Sequence, residues 1–524
     1  MPIPTLAGGV DPGSNVQLVS SDLAVVAPPD ATTARRSGPG RLIRNILLLA
    51  GGQLASWGFG LLWLVWVPRV LGPTPIGEFV VALAITSVLG NLINQGAGTL
   101  LTREIARDQG RSSALVAGAF LMRLACVLPA AVLMAAYVRL LHFGAEQTLI
   151  IWLATAVALI ACLSGAIQAA FSGLERMEFL AYGNLVGNGL ESLLGIGLVL
   201  LGGRIVALME LNLFLTSLLL ALNLYWCRGL FRIAWRQGLA LIPYIVRAGL
   251  SYWIGGLFFT TYLWIDAVLL SALAPANVVG WYGVPVQLFT AILMVAGVLG
   301  TAWFPRLAAA HLESSARLME AGRPAVETGI LLSLPIAAGL ALVSGPLVQL
   351  LYGPRFFGAG PVLAVLACCV VPTFFNMLAY QVLLAAGRQV AWIKIVGVAT
   401  VLNIVANLVL IQFFQARGNG ALGSALSLLG TELLESVGAL ALLPWLLHRE
   451  LLSRIARTVL ATALMSIAVL AAAPFGIVTE IAVGMLAFAA FGLLLHLVTA
   501  EEVEVLRGFG IRARAKFGPG GIAA

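Results

Sequence analysis

Charge is what this 524-residue sequence has least of: Asp, Glu, Lys and Arg make up 10% of it, against about 25% in an average soluble domain. Lysine is almost missing, with Lys394 and Lys516 the only two. Set beside the wealth of Ala, Gly, Leu and Val, this reads as the composition of a GC-rich coding sequence. The net charge of +8 is therefore no nucleic-acid footprint, and no nucleic-acid partner is expected. The 4 histidines, His142, His311, His448 and His496, stand near helix ends and form no cluster. Cys126, Cys162, Cys227, Cys368 and Cys369 all lie in apolar runs with no C-x-x-C spacing, which speaks for packing and against a disulfide framework or a zinc site. No GxxxxGK[ST], HExxH or GxSxG occurs, so nothing points to a phosphate-cradling loop, a zinc protease helix or a nucleophile elbow. Neither metal nor cofactor nor catalytic residue is expected.

What remains is apolar. Hydrophobic residues make up 60% of the chain and the mean hydropathy is +1.01, which water cannot solvate over a surface of this size. With about 20 residues needed per bilayer crossing, the reading is an all-α polytopic membrane protein of about 14 transmembrane helices. The first candidate span is 43–67, and the last two, 455–474 and 477–499, are split only by Pro474 and Gly476. Between them the third span covers 113–138, the fifth 178–202 and the seventh 248–272. The segment 306–324, RLAAAHLESSARLMEAGRP, reads as a short amphipathic surface helix. Residues 1–40, rich in Pro, Gly, Ser and Asp, read as a disordered tail without a signal peptide, and 501–524 as a second tail.

Short-loop Lys and Arg set orientation. With the N-terminus inside, the outer loops hold Arg69, Arg139, Arg204, Arg355 and Arg417, and Arg123 lies within a helix. Every other one of the 30 Lys and Arg residues falls on the cytoplasmic side. Both termini are accordingly expected in the cytoplasm, with the chain in a bacterial inner membrane. No outer loop exceeds about fifteen residues, too short for a catalytic or nucleotide-binding domain.

The chain also repeats itself. Ile76-Gly77 opens the second span and Val279-Gly280 the eighth, each followed by an arginine, Arg103 and Arg306, at the same interval. Gln168 precedes Gly173-Leu-Glu-Arg176 at the fourth span's inner end, as Gln381 precedes Gly387-Arg388 at the tenth's. Residues 41–236 and 237–450 are therefore expected to form two pseudo-symmetric six-helix bundles around a central cavity, a layout suited to alternating access. Residues 451–500 form an extra helix pair.

Four stretches, in order, carry a family likeness. VPRVLGPTPIGEFVVAL with LLTREIAR, then QAAFSGLERMEFLAYGN, WIDAVLLSALAPANVVGWYGVPVQL and VLNIVANLVLIQFFQARGNGALGSAL resemble bacterial polysaccharide repeat-unit flippases. These belong to the multidrug/oligosaccharidyl-lipid/polysaccharide exporter superfamily. The resemblance spans roughly residues 41 to 445. Gln415-Ala-Arg-Gly-Asn-Gly departs from the family's shorter Tyr-Gly turn in an outer loop. The resemblance implies a flippase, not an enzyme, that moves undecaprenyl-diphosphate-linked oligosaccharide from the cytoplasmic to the periplasmic leaflet, coupled to a cation. Its implied partners are the polyprenyl-diphosphate-linked oligosaccharide, membrane lipids and the polysaccharide polymerase and export machinery. Competing readings are a lipid II flippase or a cation-coupled drug exporter of the same superfamily, and, further off, a membrane polymerase, a ligase or a scaffold.

The intramembrane polar residues are the candidates for the site. Arg123 either pairs structurally with Glu191 or another acid, or offers its fork to a diphosphate; Arg103 and Arg306 are topogenic anchors or recruit the anionic headgroup. Asp266, Glu191 and Glu432, the last with Glu435 one turn on, are ion-coupling candidates. Asp266 has a structural alternative, a salt bridge holding the bundles together. Asn403 and Asn407 share one helix face and either bridge helices or line a sugar path with Tyr262, an aromatic that can instead belong to an interface belt.

Overall fold

The computed structural model describes residue 60 and residues 62–497. The two expected tails and most of the first span lie outside the described residues. Among these, there are helices and no strands. They run as α1 (Leu62–Leu71), α2 (Pro73–Asn94), α3 (Ala97–Arg107), α4 (Ser112–Ala125), α5 (Val127–Leu141), α6 (Ala145–Gly173), α7 (Met177–Asn184), α8 (Glu191–Leu200) and α9 (Ile205–Arg228). There follow α10 (Trp235–Leu273), α11 (Ala276–Glu313), α12 (Ser315–Tyr352), α13 (Ala359–Ala385), α14 (Gln389–Gln415), α15 (Gly420–Leu442), α16 (Arg449–Ala472) and α17 (Ile477–Leu494). Among the described residues, 12 stretches are long and apolar enough to cross a bilayer. In lipid a helix answers every backbone polar group internally, which is why so apolar a chain takes this form.

Several spans are interrupted where the sequence supplies a cause. The third breaks at Cys126 between α4 and α5, since Pro129 lacks the N–H that would bond back to residue 125. The fifth carries a π-helical insert over Leu185–Leu190. The expected surface helix over 306–324 does not exist as a separate element: α11 runs on to Glu313 and α12 starts at Ser315. Ser314 separates them, its Oγ accepting from Arg317 N at 3.1 Å, a serine N-cap. Alternating charges in Glu313, Arg317 and Glu320, which pair across that turn, gave the stretch its amphipathic look.

The repeated dipeptides meet in three dimensions. α2 and α11 pack together, and their closest approach is the repeated dipeptide. A β-carbon on Gly77 would fall on the Ala276 carbonyl oxygen and 2.9 Å from Gly280 N, while one on Gly280 would fall on the Pro73 carbonyl oxygen. The contact is reciprocal: each glycine meets the backbone four residues before the other, as a two-fold relation between copies requires. The second sequence match is a pair of identical helix ends. Arg176 N–H bonds the Phe171 carbonyl at 2.8 Å and Arg388 N–H the Leu383 carbonyl at 2.8 Å. Glu175 (φ 56) and Gly387 (φ 68) take the left-handed position, the six-to-one closure of a Schellman motif.

Apolar cores are distributed unevenly along the molecule. At the end where α2 and α11 start, one core is shared, joining residues such as Val80, Ile151 and Leu208 to Val284, Phe374 and Leu428. Toward the end bearing Arg103 and Arg306 there are two separate cores. One is built around Leu101, Ile167 and Ile245, the other around Leu307, Leu378 and Leu446. Apart from α10, which enters the first of these two cores, the described residues of the halves share a core at one end. α10 bridges them: its first half packs on α4, its last turns on α14.

The final pair, α16 and α17, docks on α12. Val343 of α12 meets Met465 and Val469, and Glu327 Oε2 accepts from Arg454 Nη1 at 2.7 Å, with His448 Nε2 3.1 Å from Oε1. Arg454 and Arg457 also donate to the carbonyls of residues 495–497. Removing one partner of a buried ion pair costs about 3–5 kcal/mol. Glu327→Ala is therefore expected to lower the melting temperature of the detergent-solubilised protein and to expose the 443–448 linker to protease. An unchanged melt would mean that apolar packing alone holds the pair.

Candidate functional site

Arg123 stands in the last turn of α4, where carbonyl ends favour a cation. It is 2% exposed. Its Nη1 donates to the Cys162 carbonyl of α6 at 2.5 Å and its Nη2 to Asn94 Oδ1 at the end of α2, while Nε has no partner. The expected partner Glu191 is engaged elsewhere, accepting from Asn212 Nδ2 at 2.5 Å. No carboxylate pairs with Arg123 among the described residues. The guanidinium is thus held by oxygen dipoles, without a counter-charge.

One wall separates it from an open cavity of about 640 Å³ lined by Thr99, Thr102, Arg103, Gly165, Gln168 and Ser172. A β-carbon on Gly165 would lie 3.8 Å from Arg123 Nη1. Arg103 lines this cavity directly, donating from Nη1 to Tyr252 Oη at 2.9 Å, and that hydroxyl pushes the guanidinium above its ordinary value. Arg103 and Arg123 therefore flank one groove. Arg306 lies outside it, exposed on α11 with its guanidinium 5.3 Å from the Trp303 ring.

The acids gather in the other half. Asp266 of α10 is 3% exposed. Its Oδ2 accepts from Tyr282 Oη of α11 at 2.6 Å, and its Oδ1 from Asn407 Nδ2 of α14 at 2.7 Å. Asn407 also reaches Asn403 Oδ1 at 3.0 Å and accepts from Ser424 Oγ of α15 at 2.9 Å. Asn403 donates to Thr431 Oγ1 at 3.2 Å. Among the described residues no salt bridge forms at Asp266; the carboxylate is held by neutral donors from two other helices, α11 and α14. One turn away, Glu432 accepts from Tyr262 Oη at 2.6 Å and Asn376 Nδ2 at 2.8 Å. Asn403 and Asn407, expected either to bridge helices or to line a sugar path, bridge α14 to α10 and α15, while Tyr262 holds Glu432. Amides in lipid find each other because nothing else there can bond them.

Sequence reasoning overlooked Asn94, Asn376, Ser424 and Thr431. Each is a polar residue inside an apolar run, and that was the available signal. Asn91 was missed likewise: it donates to Thr260 Oγ1 at 2.8 Å and accepts at its carbonyl from Trp253 Nε1 at 3.2 Å, tying α2 to α10. Among the described residues no group of three or more His, Cys, Asp or Glu could hold a metal ion. Asp266 Oδ1 and Asn403 Oδ1 both face Asn407 Nδ2, and Asn407 Oδ1 faces Ser424; oxygen donors of this kind suit a hard cation.

A polar groove lies in one half and a buried acid network in the other, and α10 bridges the two. The family profile described as polysaccharide biosynthesis protein matches residues 42–311. The chain belongs to that family. No curated protein matches it. Among solved structures, the lipid II flippase MurJ in an inward closed conformation is similar at a TM-score of 0.71 and 12% identity, covering 86% of this chain and 99% of that one. An inward-facing multidrug resistance MATE transporter of the MOP superfamily is similar at a TM-score of 0.62 and 17% identity, covering 77% and 98%. This member of the polysaccharide biosynthesis family thus shares the fold of these two structures, and 12 stretches among its described residues are long and apolar enough to cross a membrane.

Proposed function

We propose that the protein is a flippase that carries a polyprenyl-diphosphate-linked oligosaccharide from the cytoplasmic to the periplasmic leaflet of a bacterial inner membrane by alternating access. The observation that carries this reading is the asymmetry of the cores: a shared core at one end, and two separate cores flanking a groove with Arg103 at the other. The Lys and Arg bias puts the separated end in the cytoplasm, where the cargo is made. Residues 41–236 and 237–450 act as the two moving bundles, with 451–500 as an appended pair. A headgroup carrying diphosphate cannot cross hydrocarbon unaided, since an unsolvated charge costs several kcal/mol or more. The groove stands in for water while the polyprenyl tail stays in lipid. Arg103 meets the diphosphate directly, and Arg123, one wall behind Gly165, adds positive potential. Asp266, with Asn403, Asn407 and Ser424, holds the coupling cation.

A lipid II cargo is the second reading, favoured by the similarity to MurJ; both cargoes share the polyprenyl diphosphate. Cells lacking the protein are expected to accumulate labelled lipid-linked repeat units on the cytoplasmic leaflet; arrival of those units at the outer leaflet at the normal rate would sink the reading. Arg103→Ala is expected to lower the export rate by roughly 10-fold or more, since a hydrogen bond to a charged group contributes about 1.5–3 kcal/mol. Membrane levels of the variant, checked by immunoblot, should be unchanged, because Arg103 is exposed.

A further inference from the structure

Glu432 and Glu435 sit one turn apart on α15, 3% and 4% exposed. Glu432 has a donor on each oxygen, Tyr262 Oη on Oε1 and Asn376 Nδ2 on Oε2. The amide cannot be the other way round without losing its second bond, because Asn376 Nδ2 also donates to the Glu432 backbone carbonyl at 3.0 Å, which can only accept. Glu435 has the opposite environment: its Oε1 is buried with no partner, and its charged neighbour is Glu432.

The helices packed against α15 bring no compensating charge. From α10 the pair faces Tyr262 and Asp266, and from α13 Cys369. From α11, Tyr282 is engaged by Asp266 and Arg306 is exposed beside Trp303. Lys394 of α14 is exposed near that helix's start. No Lys, Arg or His pairs with either carboxylate among the described residues. Two like charges in a site this dry cannot both persist; one proton is shared between them. The donors decide where it sits. Glu432, with a donor on each oxygen, is built to be the anion, and Glu435, with none on Oε1, to be the acid.

We propose that Glu432 and Glu435 bind one exchangeable proton, carried on Glu435, and that its departure is relayed to α10 through the Tyr262–Glu432 hydrogen bond. The site is separate from the Asp266 network, although α10 is attached to both: Tyr262 to this pair and Asp266, four residues on, to the asparagines of α14. Loss of the proton leaves two adjacent charges. Glu432 then swings away from Glu435, and Tyr262 must follow it or lose its acceptor. The consequence for transport rests on the flippase reading, but the proton itself does not.

The test therefore uses no cargo. The full chain in lipid bilayers is stepped from acid to alkaline pH, and the carbonyl stretch of protonated carboxylic acid is followed by infrared difference spectroscopy. The expected result is one acid band that disappears on the alkaline side. It is absent in Glu435→Gln, retained in Glu432→Gln and retained in Asp266→Asn. A band that survives in Glu435→Gln, or vanishes only in Asp266→Asn, overturns the assignment. Should Glu435→Gln fail to reach the membrane, Glu435→Asp keeps the question open to measurement, since it must show the same band at a shifted frequency. For the relay, a spin label at Leu263→Cys in a cysteine-free background reports on α10. Its mobility should change with the band when Tyr262 is present and stay constant in Tyr262→Phe; a label indifferent to the band, or responding equally without the hydroxyl, removes the relay.

Discussion

Export is expected to fall by more than 10-fold when Gly77 or Gly280 is replaced by valine, with the protein still present in the membrane. Both glycines sit at the closest approach of α2 and α11, and a β-carbon on either would coincide with a carbonyl oxygen of the other helix. Backbone cannot rotate out of the way as a side chain can. Relief has to come from moving one helix relative to the other, and overpacking of this kind costs about 1–3 kcal/mol per site, occasionally more. Apart from α10, the described residues of the two halves share a core at this end. The same cost therefore disfavours the conformation closed there and favours separation at that end. A cysteine at Val80, buried at 4%, should become reactive to a membrane-impermeant thiol reagent from the periplasmic side in the valine variants. Unaltered labelling together with normal export in the double variant would show that the glycines do not set the closure.

Asp266 carries the second large effect. Asp266→Ala strands two donors, Tyr282 Oη and Asn407 Nδ2, each at a cost of about 1–3 kcal/mol when left unpaired in a buried place. A lowered melting temperature and loss of export are expected together. Asp266→Asn is the informative variant, since it keeps the volume and can still meet both neighbours, but removes the charge. The expectation is a melt close to the parent's and export at least 10-fold lower, with no remaining response to an imposed cation gradient in proteoliposomes. If Asp266→Asn exported at the parental rate and kept that response, the coupling cation would have to bind elsewhere.

The two helix contacts differ in how far they could be foreseen. Ile76-Gly77 and Val279-Gly280 stood out because a repeated dipeptide at matching intervals is visible in one dimension, and the fold turned that match into the seam between the copies. The acid network offered no such clue. Asp266, Tyr282, Asn407 and Ser424 come from four helices, and each alone is one polar residue in an apolar run. Asn403 and Asn407 could be placed on one face of one helix, but which neighbour that face would meet depends on how α10, α14 and α15 cross. For Arg123 the depth in the helix was legible, yet both expected environments gave way to a third, in which Asn94 and a carbonyl of α6 receive the guanidinium.

Hydropathy by itself determined that this chain is a set of membrane-spanning helices, because a helix must match its solvent along its whole length whatever it packs against. The spacing of glycines and arginines pointed to the pair of helices, α2 and α11, that meet at the matching dipeptides. The tertiary structure alone decided which end is sealed, that α10 belongs to both halves, and that four scattered polar residues become one site. Those outcomes turn on which helix faces meet. In lipid, where one apolar face is nearly as good as another, close backbone approach and the few polar side chains that must find partners make that choice.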